Sequence, residues 1–203
     1  MKAKSLFKKL IPYILILVIV VINACHNNSK TPTGYQTKKL ATNDSLEIKH
    51  SISVAQKIIF INNFNVYRNI SDLIRDSMFK NNVLYIDIWS THCGPCLLEF
   101  QKSLELKNRY KDKAVKFIYL VDIGDSPEYY SRWDSIINVY KLYGYHMRMS
   151  DRFYNNISSI SGIKFIGKPH FIVVDKNGHI VYPNAERPSS KEKLYKQIDS
   201  LLL

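Results

Sequence analysis

The sequence is poor in cysteine, with only Cys25, Cys93 and Cys96 among its 203 residues. A small exported domain that is held together mainly by disulfides needs several pairs, so this class of protein is excluded. Internal repeats are also absent, so the chain is not a repeat array. With 46% hydrophobic and 23% charged residues, the composition is that of a globular protein, and the length allows one ordinary domain with a short extra segment.

Acidic residues are scarce beside basic ones, 17 against 29, which gives a formal net charge of +12. Such a balance can indicate a protein that binds nucleic acid. Here the basic residues are spread along the chain, and their one tight cluster is Lys2, Lys4, Lys8 and Lys9. We therefore expect no nucleic-acid partner and assign the remaining charge to a solvated surface.

A long apolar run is missing as well. Residues 10–22 are apolar apart from Tyr13, which makes about 13 positions, whereas a membrane-spanning helix needs about 20. A basic segment before such a run and the small Ala24 after it predict a secretory signal. We predict residues 1–25 as a signal or membrane anchor, 26–50 as a flexible tether and 51–203 as the folded domain.

The end of this signal, Ile22-Asn23-Ala24-Cys25, resembles a bacterial lipobox. The resemblance implies that Cys25 is lipidated and becomes the first residue of the mature protein. An uncleaved anchor helix and a freely secreted form are the alternatives. If Cys25 is lipidated or the anchor helix stays uncleaved, the domain is tethered to a membrane of the bacterial cell envelope and faces the periplasm or the exterior.

Strand and helix patterns alternate along the predicted domain. Runs rich in β-forming residues predict strands at 53–60, 83–89, 115–121, 146–149 and 171–175, and an Asn-Gly turn leads into a further strand at 179–182. Helical spacing and capping residues, with Asp151 as one cap, predict helices at 69–79, 95–110, 127–143, 151–160 and 189–203. This alternation predicts an α/β fold with a mixed central sheet and helices on both faces.

The segment WSTHCGPC, residues 89–96, joins a predicted buried strand to a predicted helix. Unpaired N–H groups and the dipole at a helix start favour an anion, so the thiolate of Cys93 is the expected nucleophile. Pro95 suits the first helical turn, and Cys96 is placed to resolve a mixed disulfide. A zinc half-site or two idle thiols is the alternative, but the domain has no further cysteine to complete a zinc site. We expect neither a metal nor a cofactor.

The stretch YIDIWSTHCGPC is similar to the active-site segment of thioredoxins. The resemblance implies a thioredoxin fold and thiol–disulfide exchange, with Asp87 as a buried acid that helps to move the proton of the resolving cysteine. An exposed strand carboxylate is the alternative. Trp89 matches the tryptophan that packs beside the site. His92 either stabilises the thiolate when protonated or only lines the surface.

Residues 96–100, CLLEF, resemble the Cys-x-x-Glu-Phe pattern of the TlpA/ResA-type disulfide reductases, which are anchored, extracytoplasmic members of the same superfamily. The resemblance implies that Glu99 lies near the cysteines and tunes their reactivity, although an exposed helical Glu is the alternative. Residues 167–178 are similar to the family's cis-proline strand and hairpin, which implies a cis bond before Pro169, facing the cysteine pair. The long stretch before this strand fits the extra helix-strand insertion of that branch.

Lys168 departs from the family pattern, which has Thr or an apolar residue before the proline. Its charge beside the thiolate would favour acidic partners, and its backbone would pair with a substrate chain. The predicted substrate-binding residues are Trp89, His92, Gly94, Pro95 and Lys168.

These features predict an extracytoplasmic reductase that acts on disulfides of exported proteins and takes electrons from a membrane thiol relay. We expect it to be a monomer. The alternatives are a disulfide oxidase or isomerase of the same fold, and a non-enzymatic thioredoxin-like tethering module. A peroxidase of the peroxiredoxin type is disfavoured because no Pro-x-x-x-Thr lead precedes Cys93.

Overall fold

A computed structural model describes residues 57–159 and 167–203. Its strands are β1 (Ile58–Phe60), β2 (Val83–Ser90), β3 (Val115–Asp122), β4 (Gly144–Arg148), β5 (His170–Val174) and β6 (Ile180–Tyr182). They form one sheet with the order β1-β4-β3-β2-β5-β6. The first four strands are parallel to one another, whereas β5 and β6 are antiparallel to their neighbours. The predicted mixed sheet is therefore confirmed.

Within the described residues, five α-helices cover this sheet on both faces. They are α1 (Ile70–Ile74), α2 (Gly94–Tyr110), α3 (Pro127–Val139), α4 (Asp151–Asn155) and α5 (Glu192–Asp199). Buried side chains of α1 and α4 pack on one face, and those of α2, α3 and α5 pack on the other. The stretch between β3 and β5 supplies α3, β4 and α4, as predicted. Within the described ranges, no helix is both long and apolar enough to cross a bilayer.

Strand β2 lies in the middle of the sheet and is buried along almost its whole length. Ile86 and Ile88 point to the α1 face, whereas Tyr85 and Trp89 point to the α2 face. A strand that is covered on both sides has few polar positions, which explains the run of β-forming residues in the sequence. The same strand carries Asp87 up to the loop that holds the cysteines.

Four of the predicted helices are shorter than expected: α1, α3, α4 and α5. Helix α1 ends at Ile74 because the Asp76 side chain accepts a hydrogen bond from the backbone N–H of Met78 (2.9 Å) and starts a separate 3-10 turn. Helix α3 ends at Val139, and Lys141 then adopts φ 50°, which a helix does not allow. At Gly144, φ is 138° and a Cβ would lie 2.5 Å from the carbonyl oxygen of Phe117, so glycine is required where β4 begins.

The remaining differences concern the ends of elements. The last helix spans only Glu192–Asp199, since Lys191 has φ 42° and separates it from a 3-10 turn at Pro188–Ser190. Ser150 rather than Asp151 caps α4, because its Oγ accepts from the N–H of Phe153 (3.2 Å). Some predictions lie outside the described residues. They are the domain boundaries at 25 and 50, the lipidation of Cys25 and the start of the strand predicted at 53–60.

Candidate redox site

The dithiol lies where β2 gives way to α2, on the loop that follows Ser90. Cys93 and Cys96 form a disulfide with their Cα atoms 5.3 Å apart, so the structure is that of the oxidised protein. Cys93 is the N-cap of α2, and its Sγ accepts a hydrogen bond from the backbone N–H of Cys96 (3.2 Å). Cys93 is half-buried and Cys96 is fully buried, while Gly94 and Pro95 beside them are exposed. A partner can therefore reach one sulfur and not the other.

A groove opens beside the dithiol. The peptide bond between Lys168 and Pro169 is cis, as the resemblance implied. Pro169 and Pro95 line the same open groove of about 540 Å³, whose opposite wall comes from residues 184–187. The cis-proline segment and the start of α2 thus border one surface, and Cys93 lies two residues before Pro95.

Asp87 is buried on the α2 face of β2, with 2% of its surface exposed. The alternative of an exposed strand carboxylate is therefore excluded. Burial raises the pKa of this carboxyl well above its usual value; the positive charge of Lys107 acts against that shift, and the charge of Glu99 adds to it. The Oδ1 atom of Asp87 has no hydrogen-bond partner among the described residues. A buried carboxyl of this kind is suited to exchange a proton with a neighbouring thiol.

Further polar side chains lie buried on the same face of the sheet. Lys107 of α2 is 3% exposed and donates a hydrogen bond to the Tyr119 hydroxyl. The Tyr119 ring stacks on His146 with 4.8 Å between centroids, and the His146 Nε2 lies 2.6 Å from the carbonyl oxygen of Leu142. Burial lowers the pKa of His146 to about 3. Sequence reasoning missed these three residues.

Glu99 is 6% exposed and lies on the buried side of α2, so it is not an exposed helical Glu. Its carboxylate accepts hydrogen bonds from the backbone N–H and the Oγ of Ser189, both at 2.9 Å, and Arg187 Nη1 lies 3.6 Å away. Glu99 therefore joins α2 to residues 187–189, of which Arg187 also lines the groove.

The loop before Cys93 is fastened to α3. His92 is exposed, its Nδ1 lies 3.1 Å from Thr91 Oγ1, and its ring meets Tyr129 edge to face at 5.6 Å between centroids. Arg132 donates from Nε to the carbonyl oxygen of Thr91 (2.9 Å). These contacts hold the exposed His92 next to Cys93.

Two residues predicted to bind substrate have other surroundings. Trp89 is fully buried and packs edge to face on Phe100, with 4.9 Å between centroids, so it supports the site from below and cannot contact a partner. Lys168 donates to the carboxylate of Asp122 and lies 4.8 Å from the centroid of the Tyr154 ring. Its charge is therefore balanced by Asp122, and the expected free charge for acidic partners is absent.

Within residues 57–159 and 167–203, no group of three or more His, Cys, Asp or Glu side chains is arranged to hold a metal ion.

Comparison with known proteins gives the family. The redoxin family model matches residues 67–198, which is more than half of the chain. The chain belongs to the redoxin family. It is a thiol–disulfide oxidoreductase of the thioredoxin fold. A search of curated proteins finds no match to this redoxin.

Solved structures resemble this redoxin over most of its described part. A protein described as a thiol-disulfide oxidoreductase of Bacteroides vulgatus is 31% identical, with 62% of this chain and 77% of that chain covered and a TM-score of 0.49. A thiol:disulfide interchange protein described as DsbE, from Chlorobium tepidum, is 20% identical, with 63% and 84% covered and a TM-score of 0.51. The second likeness concerns the fold alone.

Proposed function

We propose that this redoxin reduces disulfides of exported proteins, and that it does so outside the cytoplasm while anchored to a membrane. The observation that supports this proposal is the unequal access to the two sulfurs. Cys93 is half-buried at a helix start, two residues before Pro95, which lines an open groove, whereas Cys96 is fully buried. A nucleophile that is met first and a resolving thiol that is shielded are what two-step disulfide exchange needs.

The reaction begins with the reduced dithiol. The Cys93 thiolate attacks one sulfur of the partner's disulfide, which forms a mixed disulfide and releases the other partner sulfur as a thiolate that takes up a proton. The Cys96 thiolate then attacks Cys93 Sγ, forms the disulfide seen in the structure and releases the second partner thiolate, which is also protonated. Two electrons pass from the dithiol to the partner's disulfide. A dithiol of a membrane relay would return them, becoming a disulfide in turn.

Asp87 and the N-terminus of α2 act in different steps of this reaction. The N–H of Cys96, which points at Cys93 Sγ, stabilises the thiolate of the attacking residue. Asp87 lies on the face of β2 against which α2 and Cys96 pack, so its carboxylate can accept the proton that Cys96 must lose.

The direction and the location rest on the sequence. Cys-Gly-Pro-Cys is the dipeptide arrangement of thioredoxins, which have strongly reducing potentials of about −270 mV. The basic segment, the apolar run and Cys25 at residues 1–25 support export and a lipid anchor. An oxidase or isomerase would use the same residues, and the reduction potential distinguishes it from a reductase.

Covalent trapping tests the proposal. In cells that carry Cys96→Ser, the mixed disulfide at Cys93 cannot be resolved, so partners should accumulate as adducts that a reducing agent releases. The double variant with Cys93→Ser is the matched control and should trap nothing. Adducts on exported proteins support the proposal; if both variants give the same pattern, substrate exchange through Cys93 is contradicted.

A further inference from the structure

Basic side chains that are spread along the sequence gather at one end of the fold, which we call the base. The base consists of the segments beside the starts of the parallel strands and the end of β5, namely residue 57 and residues 75–82, 111–116, 141–144 and 175–178. Its basic residues are Lys57, Arg75, Lys80, Lys111, Lys113, Lys116, Lys141 and Lys176, and its acidic residues are Asp76, Asp112 and Asp175. Of the basic side chains, Lys116 and Lys176 are partly buried and the others are exposed. The base therefore presents a net positive charge to its surroundings.

The end of the fold that carries the dithiol lacks this excess. Its basic side chains face carboxylates, in the pairs Lys168–Asp122, Arg148–Asp125 and Arg187–Glu99. At the base, Lys111 is the one basic residue that has a carboxylate within 4 Å in the part of the chain that the structure describes; this is the exposed Asp112, at 3.9 Å. A surface ion pair of this kind is weak. The described carboxylates thus leave most of the charge of the base available to an external anion.

A cavity of about 190 Å³ opens at the base. Four lysines line it, Lys107, Lys111, Lys113 and Lys116, together with the side chains of Asn82, Tyr143 and Tyr145. The volume is enough for several water molecules, and so for a phosphate group. Ammonium groups bind phosphate as point charges, and the amide of Asn82 adds N–H donors. The cavity therefore suits the phosphate of a larger molecule that lies against the base.

The chain that precedes the described domain joins it at the base. The backbone carbonyl of Lys57 accepts a hydrogen bond from the N–H of Gly144 (2.8 Å), and β1 then runs parallel to β4, away from the base. The dithiol lies at the opposite end of the sheet. Strand β2, which connects the two ends, has 8 residues and so spans roughly 25 Å. An anchor within residues 1–25 is therefore connected to the positive end of the domain and not to the end that carries the cysteines.

We propose that the base is a docking surface for an anionic membrane: its lysines lie against the lipid phosphates of the bilayer that anchors the chain, and the dithiol faces away from that bilayer. This inference rests on the proposed function, of which the anchor is a part. Charge complementarity and the position at which the anchored chain joins the domain support lipid as the partner. Because the tether predicted at 26–50 keeps the domain near the bilayer, weak contacts are enough to orient it. Each lysine close to an anionic surface strengthens docking about fivefold.

Lysine modification on vesicles tests this proposal. The full-length protein is reconstituted through its N-terminal segment into vesicles of phosphatidylcholine, or of phosphatidylcholine mixed with phosphatidylglycerol. The acetylation rate of each lysine is then followed by mass spectrometry. The exposed lysines of the base should react about fivefold more slowly, or slower still, on the anionic vesicles, and high salt should abolish this protection. Lys102 and Lys193, at exposed positions of α2 and α5, should react equally on both kinds of vesicle.

Two triple variants separate the base from net charge in general. The base variant carries Lys111→Gln, Lys113→Gln and Lys141→Gln. The control variant loses the same charge at exposed helix positions away from the base, by Lys102→Gln, Arg152→Gln and Lys193→Gln. On anionic vesicles, Lys57 and Lys80 should regain the rate seen on phosphatidylcholine in the base variant and stay protected in the control.

Turnover in solution shows that these variants are folded and intact at the dithiol. The reduced protein is mixed with an excess of a small fluorogenic disulfide, and the rates of the first and the second thiol release are measured against pH. Both profiles should be the same in the wild type and the two variants, because the substituted side chains are exposed and lie away from the cysteines.

Three results would overturn the docking surface and leave the reductase proposal standing. In the first, the lysines of the base react alike on both kinds of vesicle, or the base variant stays as protected as the wild type. In the second, inorganic phosphate without vesicles gives the same protection, so that the base binds a soluble anion. In the third, the lysines are protected in isolated cell-envelope membranes but not on anionic vesicles, so that they face an acidic protein.

A different result concerns the proposed function. If the wild-type protein does not float with phosphatidylcholine vesicles, the membrane anchor is contradicted, whatever the lysines show on anionic vesicles. If Cys96→Ser traps no partner in cells, the exchange reaction is contradicted in the same way.

Discussion

The two faces of the central sheet differ in what they bury. The face under α1 and α4 is lined by aliphatic, aromatic and methionine side chains, among them Ile86 and Phe153. The face under α2, α3 and α5 also buries four ionisable groups: Asp87, Glu99, Lys107 and His146. Strand β2 contributes to both environments, because its neighbouring residues Ile86 and Asp87 point to opposite faces of the sheet.

This difference indicates that the face under α2 takes part in the chemistry, whereas the face under α1 and α4 contributes to stability. Burying a charge costs free energy, so a fold that only needs stability fills such positions with apolar side chains. The buried carboxyls Asp87 and Glu99 and the buried Lys107 are on the face that carries the cysteines. Changes on the two faces should therefore have different consequences, and the predictions below are ordered from the largest expected effect to the smallest.

The largest effect is expected at the outer sulfur. Cys93→Ser removes the nucleophile, so insulin reduction by the purified protein should fall to the rate measured without protein. Cys25→Ser is the matched control, because it removes the one cysteine that lies outside the domain and should leave turnover intact. Reduction that persists in Cys93→Ser would favour the non-enzymatic tethering module, with the activity arising elsewhere.

The next effect concerns the buried acid. Asp87→Asn keeps the shape and removes the base, so the second thiol release should slow by about 10²-fold or more near neutral pH, the usual contribution of a positioned base. The first release, at Cys93, should change little. Asp134→Asn, at an exposed position of α3, is the control. Equal slowing of both steps would contradict a specific role in resolution.

Asp87 should also set how stability depends on pH. Its folded pKa is raised by burial, whereas the unfolded value is about 3.9, so between the two values the folded state binds more protons than the unfolded state. The free energy of unfolding of the oxidised protein should therefore fall as pH rises above about 4. Asp87→Asn should flatten this dependence between pH 4 and 7 in urea titrations. A parallel curve for wild type and variant would argue against a buried acid.

The smallest effect is expected one residue away, on the apolar face. Ile86→Val removes one buried methylene, so the free energy of unfolding should drop by about 1 kcal/mol. The pH profile of the second thiol release should not move, because the lost group faces away from α2. If the midpoint of this pH profile shifts in Ile86→Val, the two faces of the sheet do not differ in function as we infer.

The sequence predicts the local features well because their signals are local. The dithiol lies between a run of β-formers and a helix start, and the mixed sheet follows from alternating patterns and the Asn-Gly turn. The cis bond at Pro169 came from resemblance alone. Helix ends were less predictable, since Lys141 and Lys191 adopt positive φ values that lysine does not signal.

The polar cluster was missed because three separate elements supply it. Lys107, Tyr119 and His146 come from α2, β3 and β4, and no short motif joins them. One signal was present: the buried stripe of α2 contains Cys96, Phe100, Lys107 and Tyr110 at helical spacing, with a lysine among apolar residues. Leu98 of the same helix is apolar but 65% exposed, so apolar residues alone do not mark the buried stripe.

Lys168 shows the same limit. Its partner Asp122 is 46 positions earlier in the chain and is brought close only by the packing of the strand ends. The charge that was predicted to attract acidic partners instead forms an ion pair with Asp122. This pair joins the cis-proline segment to the end of β3.

The reduction potential of the Cys93–Cys96 couple tests the central claim most directly. It can be measured by equilibrating the purified protein with a dithiol/disulfide buffer and following the fraction of free thiol. A reductase of exported disulfides should give a value near that of thioredoxin, about −270 mV. A value near that of the strongly oxidising DsbA, about −120 mV, would contradict the account and favour a disulfide oxidase.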